Sequence, residues 1–215
     1  MQRAYKRGKS AFYNCQELTS VTIPDSVTNI GEESFYGCKE LKFIAGSVIN
    51  ISVVAKQASP TSFVVNITSG DNISNSTFRG CTELTGISIS NSVTSIDEGA
   101  FSDCSKLTYI NISDSSDDYS SVDGILYNKN KTRIIHVPTA IQGTIIIPDN
   151  VSEIGNLFSG RTGLSNITIG NGVTTINEGA FVGCTGLKSV KIGNSVTSIG
   201  DDAFRSLSGL TSIII

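Results

Sequence analysis

One apolar frame keeps returning along this chain, anchored by Phe12, Phe35, Phe78, Phe101, Phe158, Phe181 and Phe204. The spacings between anchors are 23, 43, 23, 57, 23 and 23 residues. Around the best-kept anchors the frame reads Ala-Phe-x-x-Cys-x-x-Leu-x-x-Ile-x-Ile. It runs Ala100, Phe101, Cys104, Leu107, Ile110, Ile112, and again Ala180, Phe181, Cys184, Leu187, Val190, Ile192. A unit of 23 residues cannot bury its own apolar face, so neighbouring units must stack and share one core. The period therefore dictates a solenoid, and it makes an enzyme an unexpected outcome.

Within a unit, Ala100, Phe101, Cys104 and Leu107 fall at i, i+1, i+4 and i+7, the stripe of one helical face. Ile110 and Ile112 then alternate with Tyr109 and Asn111, the period of a strand. Turn-forming pairs follow, such as Asn171-Gly172 and Asn194-Ser195. Val173 with Ile176, and Val196 with Ile199, fill the next corner. The expected fold is thus an α/β repeat solenoid over residues 1–215 as a single domain. One face is a parallel β-sheet in a right-handed coil, and short helical segments form the other.

The irregular spacings are informative too. The 43-residue gap places a degenerate repeat at about 42–77, with a strand at Ser62–Ile67, Ile73 at its corner, and Asp71 where a valine is usual. The 57-residue gap holds two periods plus an insert at about 114–139. There Ile125-Leu126-Tyr127 and Arg133-Ile134-Ile135-His136-Val137 flank a polar turn, which reads as an inserted β-hairpin.

The recurring Ala-Phe-x-x-Cys-x-x-Leu core and the phrase Ile23-Pro24-Asp25-Ser26-Val27-Thr28-Asn29-Ile30-Gly31 resemble the BspA-like (Treponema-type) leucine-rich repeats. The insert Val122-Asp123-Gly124-Ile125-Leu126-Tyr127-Asn128-Lys129 is similar to one found in that family. The sequence departs from the pattern at Arg161 and Leu207, which replace the cysteine. The resemblance implies a cell-surface or secreted protein that adheres to, or recognises, a host protein.

Charge points the same way by exclusion. The net charge is −3 and charged residues make up 16% of the chain, below the ~25% of ordinary soluble domains. That balance favours neither nucleic acid nor an anionic membrane. The expected partner is an extracellular protein or glycan. Both termini fall within the repeat frame, so the segment is expected to belong to a longer surface protein. The rival readings are a structural spacer, or the targeting part of a larger enzyme.

No residue pattern calls for catalysis, a metal or a cofactor. Cys15, Cys38, Cys81, Cys104 and Cys184 share one repeat position, so they are spread along the stacking axis and expected to be buried free thiols. The acidic run Asp114 to Asp118 with Asp123 reads as a solvated loop. His136 has no nucleophile at a telling spacing. On the outer sheet face, Thr144, Asn166, Thr168, Ser189 and Lys191 are expected to form a polar ladder. Tyr109 and Ile146 interrupt it beside the insert, and Tyr127 and His136 lie on the insert itself. These four residues, Tyr109, Tyr127, His136 and Ile146, are the expected partner contacts, since aromatic and apolar anchors dominate binding hot spots.

Overall fold

The computed structural model describes residues 5–6, 10–22, 27–29, 33–40, 43–45, 49–50, 64–67, 72–73, 77–97 and 99–215. They divide into two compact units, Met1–Ser120 and Ser121–Ile215.

In the second unit the alternation of the sequence becomes a parallel sheet. Its strands, in order, are Gly143–Ile147, Leu164–Ile169, Ser189–Lys191 and Ser212–Ile214. Thr144, Asn166, Ser189 and Ser212 stand in one row across it, and Ile146, Thr168, Lys191 and Ile214 in another. Side chains of a strand alternate between faces, so Ile145, Ile147, Ile167, Ile169 and Val190 point into the core and are buried. A second, shorter parallel sheet of Glu153–Ile154, Thr175–Ile176 and Ser198–Ile199 forms the next corner of each coil.

The first unit repeats the plan. Val64–Ile67, Gly86–Ile89 and Tyr109–Ile112 run parallel and in register, and Asn72–Ile73 pairs with Ser95–Ile96 at the corner. Ile49–Asn50 departs from it, pairing antiparallel with Val64–Ile67. Of the degenerate repeat, Val64–Ile67 is a strand and Ile73 is buried. Ser62, Phe63 and Asp71 lie outside the described residues.

The anchor phenylalanines stack on one another. Ring centroids are 5.4 Å apart for Phe12–Phe35 and 5.9 Å for Phe78–Phe101 in the first unit. In the second they are 5.2 Å for Phe158–Phe181 and 5.4 Å for Phe181–Phe204. Such pairs add about 0.5–1.5 kcal/mol each beyond the area they bury.

The expected helical segments are not there. Among the described residues the only helix is a three-residue 3-10 turn, Asn156–Phe158. The reason lies in the backbone on either side of each phenylalanine. Gly99 and Asp103 flank Phe101 with φ of 84° and 60°, and Gly179 and Gly183 flank Phe181 with 63° and 71°. Left-handed residues four apart cannot belong to a right-handed helix. The segment instead closes successive tight turns, such as Cys184 N–H to the Phe181 carbonyl at 3.2 Å and Leu187 N–H to the Cys184 carbonyl at 3.0 Å. Its other amides bond to the neighbouring coil, as Phe181 N–H does to Ala203 and Gly183 N–H to Arg205. A ladder between coils thus replaces the bonds a helix would make within itself.

The cysteine position belongs to the same ladder. The thiol of Cys184 donates to the Phe158 carbonyl at 2.9 Å, Cys104 to Phe78 at 3.0 Å, and Cys38 to Phe12 at 3.0 Å. Burial raises the pKa of these thiols, that of Cys104 to about 12. Cys15 corrects the expectation of five buried thiols: it is exposed, and its sulfur reaches only the Tyr13 carbonyl of its own coil at 4.0 Å.

The insert is a hairpin of Ile125–Asn128 and Ile134–His136, antiparallel as expected. Asp123 and Gly124, with φ of 51° and 80°, make the tight turn that precedes it. A third strand, Tyr119–Val122, joins this sheet beside Ile125–Asn128, which the sequence reading did not foresee. The Asn128 side chain closes the loop by accepting the N–H groups of Thr132 and Arg133 at 2.9 and 3.0 Å.

Candidate recognition surface

The outer face of the second unit's sheet follows from alternation alone. Each strand sends out two successive positions: 144 and 146, then 166 and 168, then 189 and 191, then 212 and 214. The first row is polar and laced, with the Asn166 amide donating to the Thr144 hydroxyl at 3.2 Å. The second row is Ile146, Thr168, Lys191 and Ile214, in which Ile146 is 56% exposed and Lys191 and Ile214 are exposed too. Just past the strands come Pro148, which is half-buried, and Gly170 and Gly193, which are buried.

These residues help to line a groove of about 380 Å³ that spans three coils. One wall is the row of Ile146, Thr168 and Lys191, and the other is Asp149, Asn171 and Asn194. The second wall is tied together across the coils. Asn171 N–H donates to the Asp149 carboxylate at 2.7 Å, and Asn194 N–H donates to the Asn171 side-chain oxygen at 3.2 Å. The glycines are required by packing, because a Cβ at Gly170 would sit 2.6 Å from the Ile147 carbonyl, and one at Gly193 2.5 Å from that of Gly170. In the first unit the same position carries Ser90 and Ser113, whose hydroxyls pair with Ser92 at 2.7 Å and Ser115 at 2.9 Å.

The four expected contacts fare differently. Ile146 stands on the groove wall. Tyr109, in the first unit, is half-buried, and its ring lies over Gly86, its register partner on the next strand, leaving no room there for a methyl group. It covers a gap in the sheet and shows only part of its surface. Tyr127 is a correction: it is wholly buried in the second unit's core, with its hydroxyl lacking a hydrogen-bond partner among the described residues. It faces Ile134 across the hairpin, so the strand's alternation turns it inward. It holds the hairpin down and cannot touch a partner. His136 is half-buried, and its pKa is lowered to about 4, first by burial and then by the Arg161 charge.

Arg161 takes the place of a cysteine and does a related job. Its guanidinium donates to the Ser159 carbonyl at 2.7 Å and to that of Val137 at 2.8 Å, tying the coil to the end of the hairpin. Groups of three or more histidine, cysteine or acidic side chains able to hold a metal are absent among the described residues. No described helix is long and apolar enough to cross a membrane. Asp114, Asp117 and Asp118 are exposed, while Ser116 between them is buried and accepts the Tyr119 N–H at 3.2 Å.

Comparison with known proteins agrees with this geometry. The model of the BspA type leucine-rich repeat region matches in six copies, over residues 6–121, 47–144 and 141–215. A leucine-rich repeat protein of Eubacterium ventriosum is 28% identical, with a TM-score of 0.68 over 97% of this chain and 57% of its own. The pneumococcal vaccine antigen PcpA is 20% identical, with a TM-score of 0.64 over 92% of this chain and 50% of its own. The chain therefore spans about half the length of these two structures. No curated protein matches it significantly.

Proposed function

Since the chain belongs to the BspA-type leucine-rich repeat family, we propose that it is a non-enzymatic recognition module of a cell-surface or secreted protein, binding an extracellular protein. The observation that carries this reading is the second unit's outer sheet face. There an exposed isoleucine, Ile146, stands in register with Thr168 and the cationic Lys191 beside an open groove. The rungs beneath are fixed by paired strands and a continuous apolar core, so the face is presented rigidly and loses little entropy on binding. A non-enzymatic role is supported by the thiols, since burial holds Cys81, Cys104 and Cys184 in the protonated, unreactive form.

The test is adhesion. The purified chain is exposed to immobilised extracellular-matrix proteins and to cultured epithelial cells, beside an Ile146→Asp variant whose fold is verified by circular dichroism. Saturable binding that the variant loses supports the reading. Absence of binding to every surface by the parent chain refutes it and favours a spacer, for which the laced polar row of Thr144 and Asn166 is suited.

A further inference from the structure

We propose that the groove of the second unit takes a proline-rich peptide segment in the polyproline II conformation, with an apolar residue and a carboxylate three positions apart. This rests on the recognition reading above and names the chemistry of the partner.

Spacing is the first argument. Ile146 and Lys191 stand on strands two rungs apart in one register row, a separation of about 9.6 Å at ~4.8 Å per rung. A β-strand laid along the groove brings residues to one face every ~6.7 Å or ~13 Å, and neither matches. A polyproline II helix has three residues per turn and rises ~3.1 Å per residue, so positions i and i+3 share a face ~9.3 Å apart.

Charge gives the direction. Lys191 makes no ion pair among the described residues, and it stands at one end of the groove, with Ile214 beyond it in the row. Asp149 stands on the rung of Ile146 at the other end. The groove is thus cationic where the ligand's carboxylate would lie and anionic where its apolar residue would lie, which fixes the polarity of an acidic peptide.

Hydrogen-bond chemistry selects the backbone. The Asn171 oxygen already accepts the Asn194 N–H, so its amide group offers donors, as do the Thr168 hydroxyl and the Lys191 ammonium. A groove rich in donors suits a proline-rich chain, which keeps its carbonyls but has few N–H groups. Room is the last requirement, and the groove supplies about 380 Å³ across three coils.

The probe is acetyl-Pro-Ile-Pro-Pro-Glu-Pro-amide, titrated into the isotope-labelled chain. The controls are acetyl-Pro-Ile-Pro-Glu-Pro-Pro-amide, with the spacing shortened, and acetyl-Pro-Ile-Pro-Pro-Lys-Pro-amide, with the charge reversed. The expected result is saturable shifts of the Thr168, Gly170, Lys191 and Gly193 amides, with affinity at least about tenfold weaker for either control. Lys191→Glu, at an exposed position, should lose the first peptide and gain the lysine peptide. Equal binding of the shortened peptide, indifference to Lys191→Glu, or no binding at millimolar peptide would each overturn the proposal. So would shifts of the same amides by oligogalacturonate and not by peptide, which would make the groove a glycan site. Lys191→Glu is also carried into the adhesion assay. If the parent adheres and this variant adheres equally, the groove proposal falls alone; if the parent does not adhere, the recognition reading falls.

Discussion

The chain has one histidine, so its titration can be followed without ambiguity, and the structure fixes how it should behave. His136 ends a hairpin strand, half-buried, with the Arg161 guanidinium nearby, and its pKa drops from the ordinary 6.5 to about 4. Burial is the larger cause and the arginine charge the smaller. A base whose folded pKa is depressed is protonated first in the unfolded chain. The stability it permits is therefore complete above pH 6.5 and declines as the pH falls, levelling off near pH 4. The slope is about 1.4 kcal/mol per pH unit, and the full loss is about 3 kcal/mol. Two measurements check this. The imidazole carbon-bound proton, followed by NMR, should give a native midpoint well below 6. Urea unfolding at pH 7.5, 5.5 and 4.5 should lose stability, and His136→Gln should flatten that loss. Arg161→Met separates the causes: the midpoint should rise yet stay below the ordinary value, because burial remains. The same variant strands the Ser159 and Val137 carbonyls and should cost about 1–3 kcal/mol at neutral pH. A native midpoint at or above 6, or equal acid sensitivity of parent and His136→Gln, would refute the reasoning.

Three further outcomes follow from packing. Phe181→Ala and Leu187→Ala should each destabilise by about 2–5 kcal/mol in urea, and Thr168→Ala by far less; equal losses would mean that the sheet's faces are assigned backwards. Tyr127→Phe should be neutral or stabilising by about 1 kcal/mol, since it removes a buried hydroxyl that has no partner; a clear loss of urea stability would show that the hydroxyl is bonded. In native buffer without reductant, a chromogenic disulfide reagent should react quickly with one thiol, Cys15, and with the other four only after denaturation; fast reaction at Cys104 or Cys184 would contradict their burial.

The sheet was legible in the sequence because burial is written into it every second residue. Ile145, Ile147, Ile167 and Ile169 could only face one way, and the period of 23 set their stacking. The helical segments were misread for a definable reason. Ala100, Phe101, Cys104 and Leu107 do lie on one side, but a series of tight turns facing a core also brings residues three and four apart inward. What distinguishes the two is backbone sign. Residues that tolerate positive φ recur two places before and two places after the phenylalanine: Gly99 and Asp103, Gly179 and Gly183, Asp202 and Ser206. A helix would not place such residues at both, and their recurrence is the signature of successive turns. Tyr127 was misjudged similarly, since an aromatic in an insert looks exposed until its strand partner Ile134 shows which face it shares.

The groove was hidden because part of its lining lies just past the strands, where alternation no longer tells which way a residue faces. A reading that looks for aromatic and charged residues passes over glycine, or credits it to a turn. Aligning the coils exposes the signal, because the residue after the second strand isoleucine is Ser90, Ser113, Pro148, Gly170 and Gly193 in succession. Serine holds the position in the first unit; in the second a proline and then two glycines hold it, and the Ile147 and Gly170 carbonyls leave no room for a Cβ on either glycine. The glycines therefore let successive coils pack closely here, while Ile146, Thr168 and Lys191 supply the side chains along the groove. Recognition in such a fold need not come from an insert like the hairpin. A change of a few side chains along one exposed row, here Ile146 and Lys191, gives a monotonous ladder an apolar contact and a cation two rungs apart.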